Sequence, residues 1–123
     1  MASIDGQISI PLPESCPNVL LTEDSKLLLC TEIILKNLKI FINTGSGFQL
    51  HQTIPLSQTP YDMKTNKYDS RIYLSDVSGL VIFQRNSDNT FSSYSSLPLL
   101  STYNIALSED ETMLVVGFLS GKY

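Results

Sequence analysis

Three kinds of side chain in this 123-residue chain could do chemistry: one histidine, two cysteines and a scatter of carboxylates. His51 is the single imidazole, set in Gln49-Leu50-His51-Gln52-Thr53. A general base needs a positioned nucleophile or an orienting acid, and no spacing in the sequence supplies one, so His51 reads as a surface residue of a strand. Cys16 and Cys30 cannot by themselves make a disulfide framework or the four ligands of a structural zinc site, and they read as reduced thiols. Asp24, Asp62, Asp69, Asp76 and Asp110 could be carboxylates around a cation-binding channel. Most of them stand beside Ser, Thr, Gly or Lys, where a carboxylate accepts backbone N–H bonds and stabilises a turn, and the turn reading is preferred. Gly45-Ser46-Gly47 lacks the following Lys-Ser/Thr of a phosphate cradle and reads as a hairpin turn. The hydroxyls of Ser92 to Ser96 could accept phosphate, but they equally suit a solvated edge strand. Neither a metal nor a cofactor is expected.

Composition narrows the partners. An apolar share of 42% is enough for a packed core. The formal charge of -4 supplies no basic field for a phosphate backbone or an acidic membrane, and Lys36, Lys39, Lys64 and Lys67 form no basic run. Nucleic acid and membrane are therefore not expected as partners. Met1-Ala2-Ser3-Ile4-Asp5 is not a basic stretch leading into an apolar one, and no window reaches the roughly 18 apolar residues of a membrane span. With no Asn-x-Ser/Thr sequon either, a soluble cytoplasmic location is expected.

The elements that would position any site are set by an internal repeat. Ile10-Pro11-Leu12, Ile54-Pro55-Leu56 and Leu97-Pro98-Leu99 follow one another at 44 and 43 residues. The segment from Asn18 to Leu29 returns in softened form from Asn104 to Val115 at an offset of 86, and Phe48 is followed by Phe91 at 43. Lys39-Ile40-Phe41-Ile42 returns as Val81-Ile82-Phe83-Gln84. Apolar runs of about four to six residues between turn formers are strands, not helices. Asn43 to Gly47, Asn86 to Asn89, Asp76 to Gly79 and Leu119 to Gly121 supply the turns. Each period thus holds four short antiparallel strands, A to D, which is the size of a propeller blade.

At this point the chain resembles the WD-repeat family. Thr22 to Leu29 and Ser108 to Gly117 look like that family's A to B turn and inner strand, and Gly79 to Phe83 looks like its strand C. The resemblance implies an all-β partial propeller of about three four-stranded blades. Its parts would be an end strand and linker over 1–17, blades over 18–60 and 61–102, and an incomplete blade over 103–123. It further implies a non-catalytic scaffold for a protein or peptide partner, not an enzyme, with Tyr94, Tyr61 and Tyr103 as candidate partner-binding residues. No Gly-His precedes strand A and no Trp-Asp closes strand C, so a fragment of a lactonase-like propeller hydrolase stays open as the alternative. Three blades fall short of the roughly 4 to 8 of a closed ring. Either the chain is a fragment of a longer propeller, which is preferred, or two copies close a six-bladed ring as a homodimer.

Overall fold

The computed structural model describes residues 2–4, 7–9, 16, 18–66, 70–98, 102–108, 111 and 113–118. All of its regular elements are strands, in the order β1 (Ala2–Ile4), β2 (Gln7–Ser9), β3 (Asn18–Leu21), β4 (Leu27–Glu32), β5 (Asn37–Asn43), β6 (Phe48–Pro55), β7 (Pro60–Thr65), β8 (Arg71–Asp76), β9 (Gly79–Arg85), β10 (Phe91–Pro98), β11 (Thr102–Leu107) and β12 (Leu114–Phe118). Two four-stranded antiparallel sheets, β3-β4-β5-β6 and β7-β8-β9-β10, keep the sequence order of their strands, and β11-β12 begins a further copy. The fold is a partial β-propeller. Within the segment 1–17, β2 pairs antiparallel with β1. Leu119 to Gly121 lie outside the described residues. Among those described, no helix is long and apolar enough to cross a membrane.

Alternation along each strand explains the stacking. Leu27 and Leu29 of β4 and Leu38 and Ile40 of β5 leave one face of the first sheet, and they meet Met63, Ile72, Leu74, Phe83 and Phe91 of the second. The intervening residues of the second sheet, Tyr73 and Leu80, point the other way and pack with Ile82 against Ile105, Leu107, Leu114 and Val116 of the third. A middle sheet buried on both faces needs unbroken apolar runs, and its β8 accordingly buries Ile72, Tyr73 and Leu74 in succession. The outermost strands β6 and β10 are mostly exposed and correspondingly polar.

Turns repeat as faithfully as strands. After β3, the Thr22 amide donates to the Leu27 carbonyl (2.9 Å), Ser25 N–H to the Thr22 carbonyl (2.9 Å) and Leu27 N–H to Thr22 Oγ1 (3.1 Å). After β11, Ser108, Glu111 and Met113 make the same three bonds at 2.9, 3.0 and 2.9 Å. Ser25 and Glu111 both adopt positive φ, at 62° and 60°, as do Gly45 and Asn89 in the turns between the third and fourth strands, at 91° and 67°. Asparagine tolerates that conformation and glycine takes it without strain, so the two residues are interchangeable there.

Leu29 is fully buried at the seam between the two complete sheets, whereas Ile34 is 90% exposed in the β4–β5 turn. Leu29→Ala is expected to cost about 2–4 kcal/mol in urea unfolding, and Ile34→Ala less than about 0.5 kcal/mol. Equal costs would contradict the stacked-sheet core.

Candidate functional site

Because the sheet faces are consumed by stacking, polar side chains that could meet a ligand collect along the sheet edges and in the turns. The inner strands β3, β7 and β11 carry a polar residue at the corresponding paired position: Asn18 faces Thr31, Asp62 faces Ser75 and Asn104 faces Gly117. Asp62 lies inside β7, where Tyr61 is looped out and the pairing with β8 slips by one residue. Its carboxylate accepts from Met63 N–H at 2.8 Å, from Ile105 N–H of the next sheet at 3.0 Å, and from Lys64 Nζ at 3.2 and 3.3 Å. Its own N–H donates to Ser75 Oγ at 3.0 Å. Ser75 is buried, so it holds this edge and is in no position to attack a substrate. The half-exposed Lys64 ammonium is the one positive group in this cluster, and as a point charge it suits an anionic ligand.

A second cluster sits at the β7–β8 turn. Asn66 donates to Ser70 Oγ (2.7 Å) and to Glu111 Oε2 (3.2 Å), and the Tyr73 hydroxyl donates to Glu111 Oε1 (3.1 Å). Burial raises the Tyr73 phenol above its usual 10.0, and the hydrogen bond to the Glu111 carboxylate adds to this while Arg71 opposes it. Arg71 donates Nε to Gln84 Oε1 (3.2 Å) and an Nη to the Tyr94 hydroxyl (3.1 Å), with its guanidinium 4.4 Å from the Tyr94 ring centre. Its bond to Tyr73 raises it further above an already high value.

A third set runs along the outer edge. Gln52 makes two bonds to the backbone of Phe91 on the next sheet, donating at 2.8 Å and accepting at 2.7 Å. His51 is exposed, as anticipated, with Nε2 3.0 Å from the Asp88 carbonyl. The Thr90 hydroxyl and N–H hold the Asp88 carboxyl below the usual carboxylate range.

The remaining sequence candidates are dispersed. Tyr61 is half-buried in the bulge of β7, and Tyr94, 54% exposed, bulges from β10 at the opposite edge of the same sheet. Tyr103 occupies the corresponding bulge of β11, and its side chain lies outside the described residues. The structure therefore sets Tyr61 and Tyr94 apart, at opposite edges of one sheet. Asp24 and Asp76 are turn residues: Asp24 accepts from the Thr22 hydroxyl and Lys26 N–H, and Asp76 from Ser78 and Gly79. Asp69 and Asp110 lie outside the described residues. Among the described residues no three His, Cys, Asp or Glu side chains gather to hold a metal ion. The expectation of reduced thiols is corrected, since Cys16 and Cys30 form a disulfide. Sequence reasoning passed over Lys64, Arg71, Gln52 and Glu111. The recurrence of Asn18, Asp62 and Asn104 at 44 and 42 residues was the available signal for the inner edge.

No protein-family model matches the chain, and no curated protein matches its sequence. Solved structures do match. A Bacteroides fragilis protein put forward as a 6-phosphogluconolactonase has a TM-score of 0.74 at 14% identity, over 82% of this chain and 31% of its own. A Bacteroides uniformis protein put forward likewise has a TM-score of 0.73 at 15% identity, over 81% and 32%. A protein of unknown function from Desulfotomaculum acetoxidans has a TM-score of 0.71 at 20% identity, over 80% and 35%. The chain spans about a third of the length of these structures, and the likeness at such identities is one of fold. No match supports the WD-repeat assignment, and with it falls the expectation that the chain is not part of an enzyme, because two of these fold neighbours are put forward as lactone hydrolases.

Hydrogen bonds from Thr22 first, and from the Lys26 N–H next, hold the Asp24 carboxyl below its ordinary 3.8, with a smaller contribution from the Arg85 charge. A depressed carboxyl stabilises the fold above its unfolded pKa, and that contribution is lost as pH falls through the folded value. Urea midpoints are expected to drop more steeply below about pH 4 in the parent than in Asp24→Asn. Parallel acid limbs would contradict a role for these bonds.

Proposed function

We propose that this chain forms part of a lactonase-like propeller hydrolase whose substrate is a small anionic sugar lactone. The observation that carries the reading is the shared architecture with two proteins put forward as 6-phosphogluconolactonases, which extends over four-fifths of this chain. Opening a lactone needs water at an ester carbonyl and a charge-stabilising group for the oxygen that becomes negative. A chain of net charge -4 repels an anionic substrate overall, so binding must rest on local cations. Lys64 supports this reading: it stands on an inner strand, half-exposed, with its ammonium steered by Asp62. In the proposed reaction Lys64 attracts the anionic end of the substrate, Asp62 fixes the direction of the ammonium, and the Asp62 bond to Ile105 N–H keeps two sheets in register around it.

A pH-stat assay with 6-phosphogluconolactone measures acid released by the purified chain. Release above the spontaneous background is expected, with Lys64→Ala weakening KM for the phosphorylated lactone about tenfold or more, the loss of one charged contact, and affecting unphosphorylated gluconolactone far less. A rate equal to background for both lactones would refute the reading.

A further inference from the structure

The turn between β4 and β5 places bulky aliphatic side chains at three of its four positions, and the fold does not bury them. Ile33 is 46%, Ile34 90% and Leu35 63% exposed. Turns ordinarily carry Gly, Asn, Asp or Ser at such positions. Lys36, also exposed, closes the turn with φ at 55°, and its carbonyl accepts from Leu56 N–H at 2.7 Å, so the tip is held in one shape. Antiparallel order puts the β8–β9 turn, with exposed Val77, at the same end of its own sheet. The sheets stack with like ends together, because Arg85 at the end of β9 reaches Asp24 and Asn66 reaches Glu111. Stacking consumes sheet faces, so it gives no reason for apolar groups on a turn at the strand ends.

Charge separates the two ends. Among the described residues, the turns at the far end carry Glu23, Asp24, Asp88 and Glu111 against Lys26. At the near end, the β4–β5 and β8–β9 turns and residues 56–59 carry one charged residue, Lys36. Glu32, at the base of the tip, is paired with Lys39 at 3.2 Å, and Asp76 is buried with its carboxylate accepting from Ser78 and Gly79. A net charge of -4 for the whole chain therefore misdescribes this end, and only charge within roughly 10 Å of a contact acts on it in dilute salt.

We propose that the β4–β5 turn is a membrane-inserting tip. Ile33, Ile34 and Leu35 enter the acyl boundary of a bilayer, and the Lys36 ammonium meets anionic headgroups beside them. Interfacial binding strength grows with the apolar area inserted and with attraction to anionic lipid, and this turn supplies both. A bilayer accepts a convex apolar tip directly, whereas a protein partner must offer a matching groove. Protein interfaces are also built around Tyr, Trp, Phe, Met and Arg, with Leu and Val under-represented among the residues that carry binding energy, and the tip holds only Ile and Leu. Because the turn is already fixed by its bond to Leu56, insertion orders little further chain. The acidic turns at the far end point away from the lipid in this orientation.

Flotation of the intact chain with vesicles of phosphatidylcholine mixed with phosphatidylserine is expected to carry protein with the lipid, and phosphatidylcholine alone to carry less. Replacing Ile34 and Leu35 together by Ser is expected to lower the partition coefficient about tenfold or more, the loss of two inserted aliphatic side chains, with the melting temperature unchanged. Lys36→Glu is expected to weaken binding to the mixed vesicles and leave binding to phosphatidylcholine alone as it was. The chain has no tryptophan, so Ile34→Trp reports insertion directly. Its emission is expected to shift to the blue on the mixed vesicles and to be quenched by lipids brominated on the acyl chain. A parent that does not float, or a parent and an Ile34→Ser, Leu35→Ser variant that float equally, would overturn the proposal. Self-association of the parent that the double variant abolishes, without vesicle binding, would make the tip a protein contact and overturn it as well.

Discussion

Face-to-face apolar stacking of sheets is the constraint from which the other features of this molecule follow. Leu27, Leu29, Leu38 and Ile40 on one side and Met63, Ile72, Leu74, Phe83 and Phe91 on the other form one continuous layer. Each apolar side chain removed from water contributes about 1.5–3 kcal/mol, and alternation sends the intervening residues of the second sheet to its reverse face, which is apolar where it meets the third sheet. The faces are thereby spoken for. Most polar and titratable candidates for binding or chemistry fall on the inner strands, the outer strands and the turns, with Arg71 and Tyr73 of β8 as exceptions.

Polar ties then fix the stacked sheets in register without adding much to the energy of the layer. At the seam between the two complete sheets, Gln52 reproduces a backbone partner for Phe91 with two bonds, and Arg85 reaches Asp24 at 3.4 Å. The first is worth on the order of 1 kcal/mol per bond, and the second, a partly exposed pair, is worth less. At the next seam Asp62 binds Ile105 N–H, and Glu111 receives Tyr73 and Asn66. The same groups that set the register also orient Lys64 and Arg71, so ligand-binding geometry and assembly geometry share residues.

Much of the fold was legible in the sequence, because period-two apolar alternation, turn formers and a recurrence of 42 to 44 residues are local signals. The A to B turn was legible to the single residue, since Thr22 and Ser108 make matching bonds. Features that depend on register were not. His51, Tyr61, Tyr94 and Tyr103 each stand where the pairing slips by one residue, and a bulge leaves no mark in composition. The disulfide was missed because two cysteines 14 residues apart, with a strand and a turn between them, give no sign in the sequence that their Cα atoms come within 5.5 Å. The choice between scaffold and enzyme lay further out of reach, since a propeller hosts both and the site, not the fold, decides chemistry.

Native-state hydrogen exchange in rising denaturant tests the stacking most directly. If the apolar layer joins the two complete sheets, the slow amides of β4 and β5 and those of β8 and β9 converge on a single opening free energy and exchange as one unit. Two isotherms that stay separate up to global unfolding, one for each sheet, would show sheets that fold independently and would contradict the account.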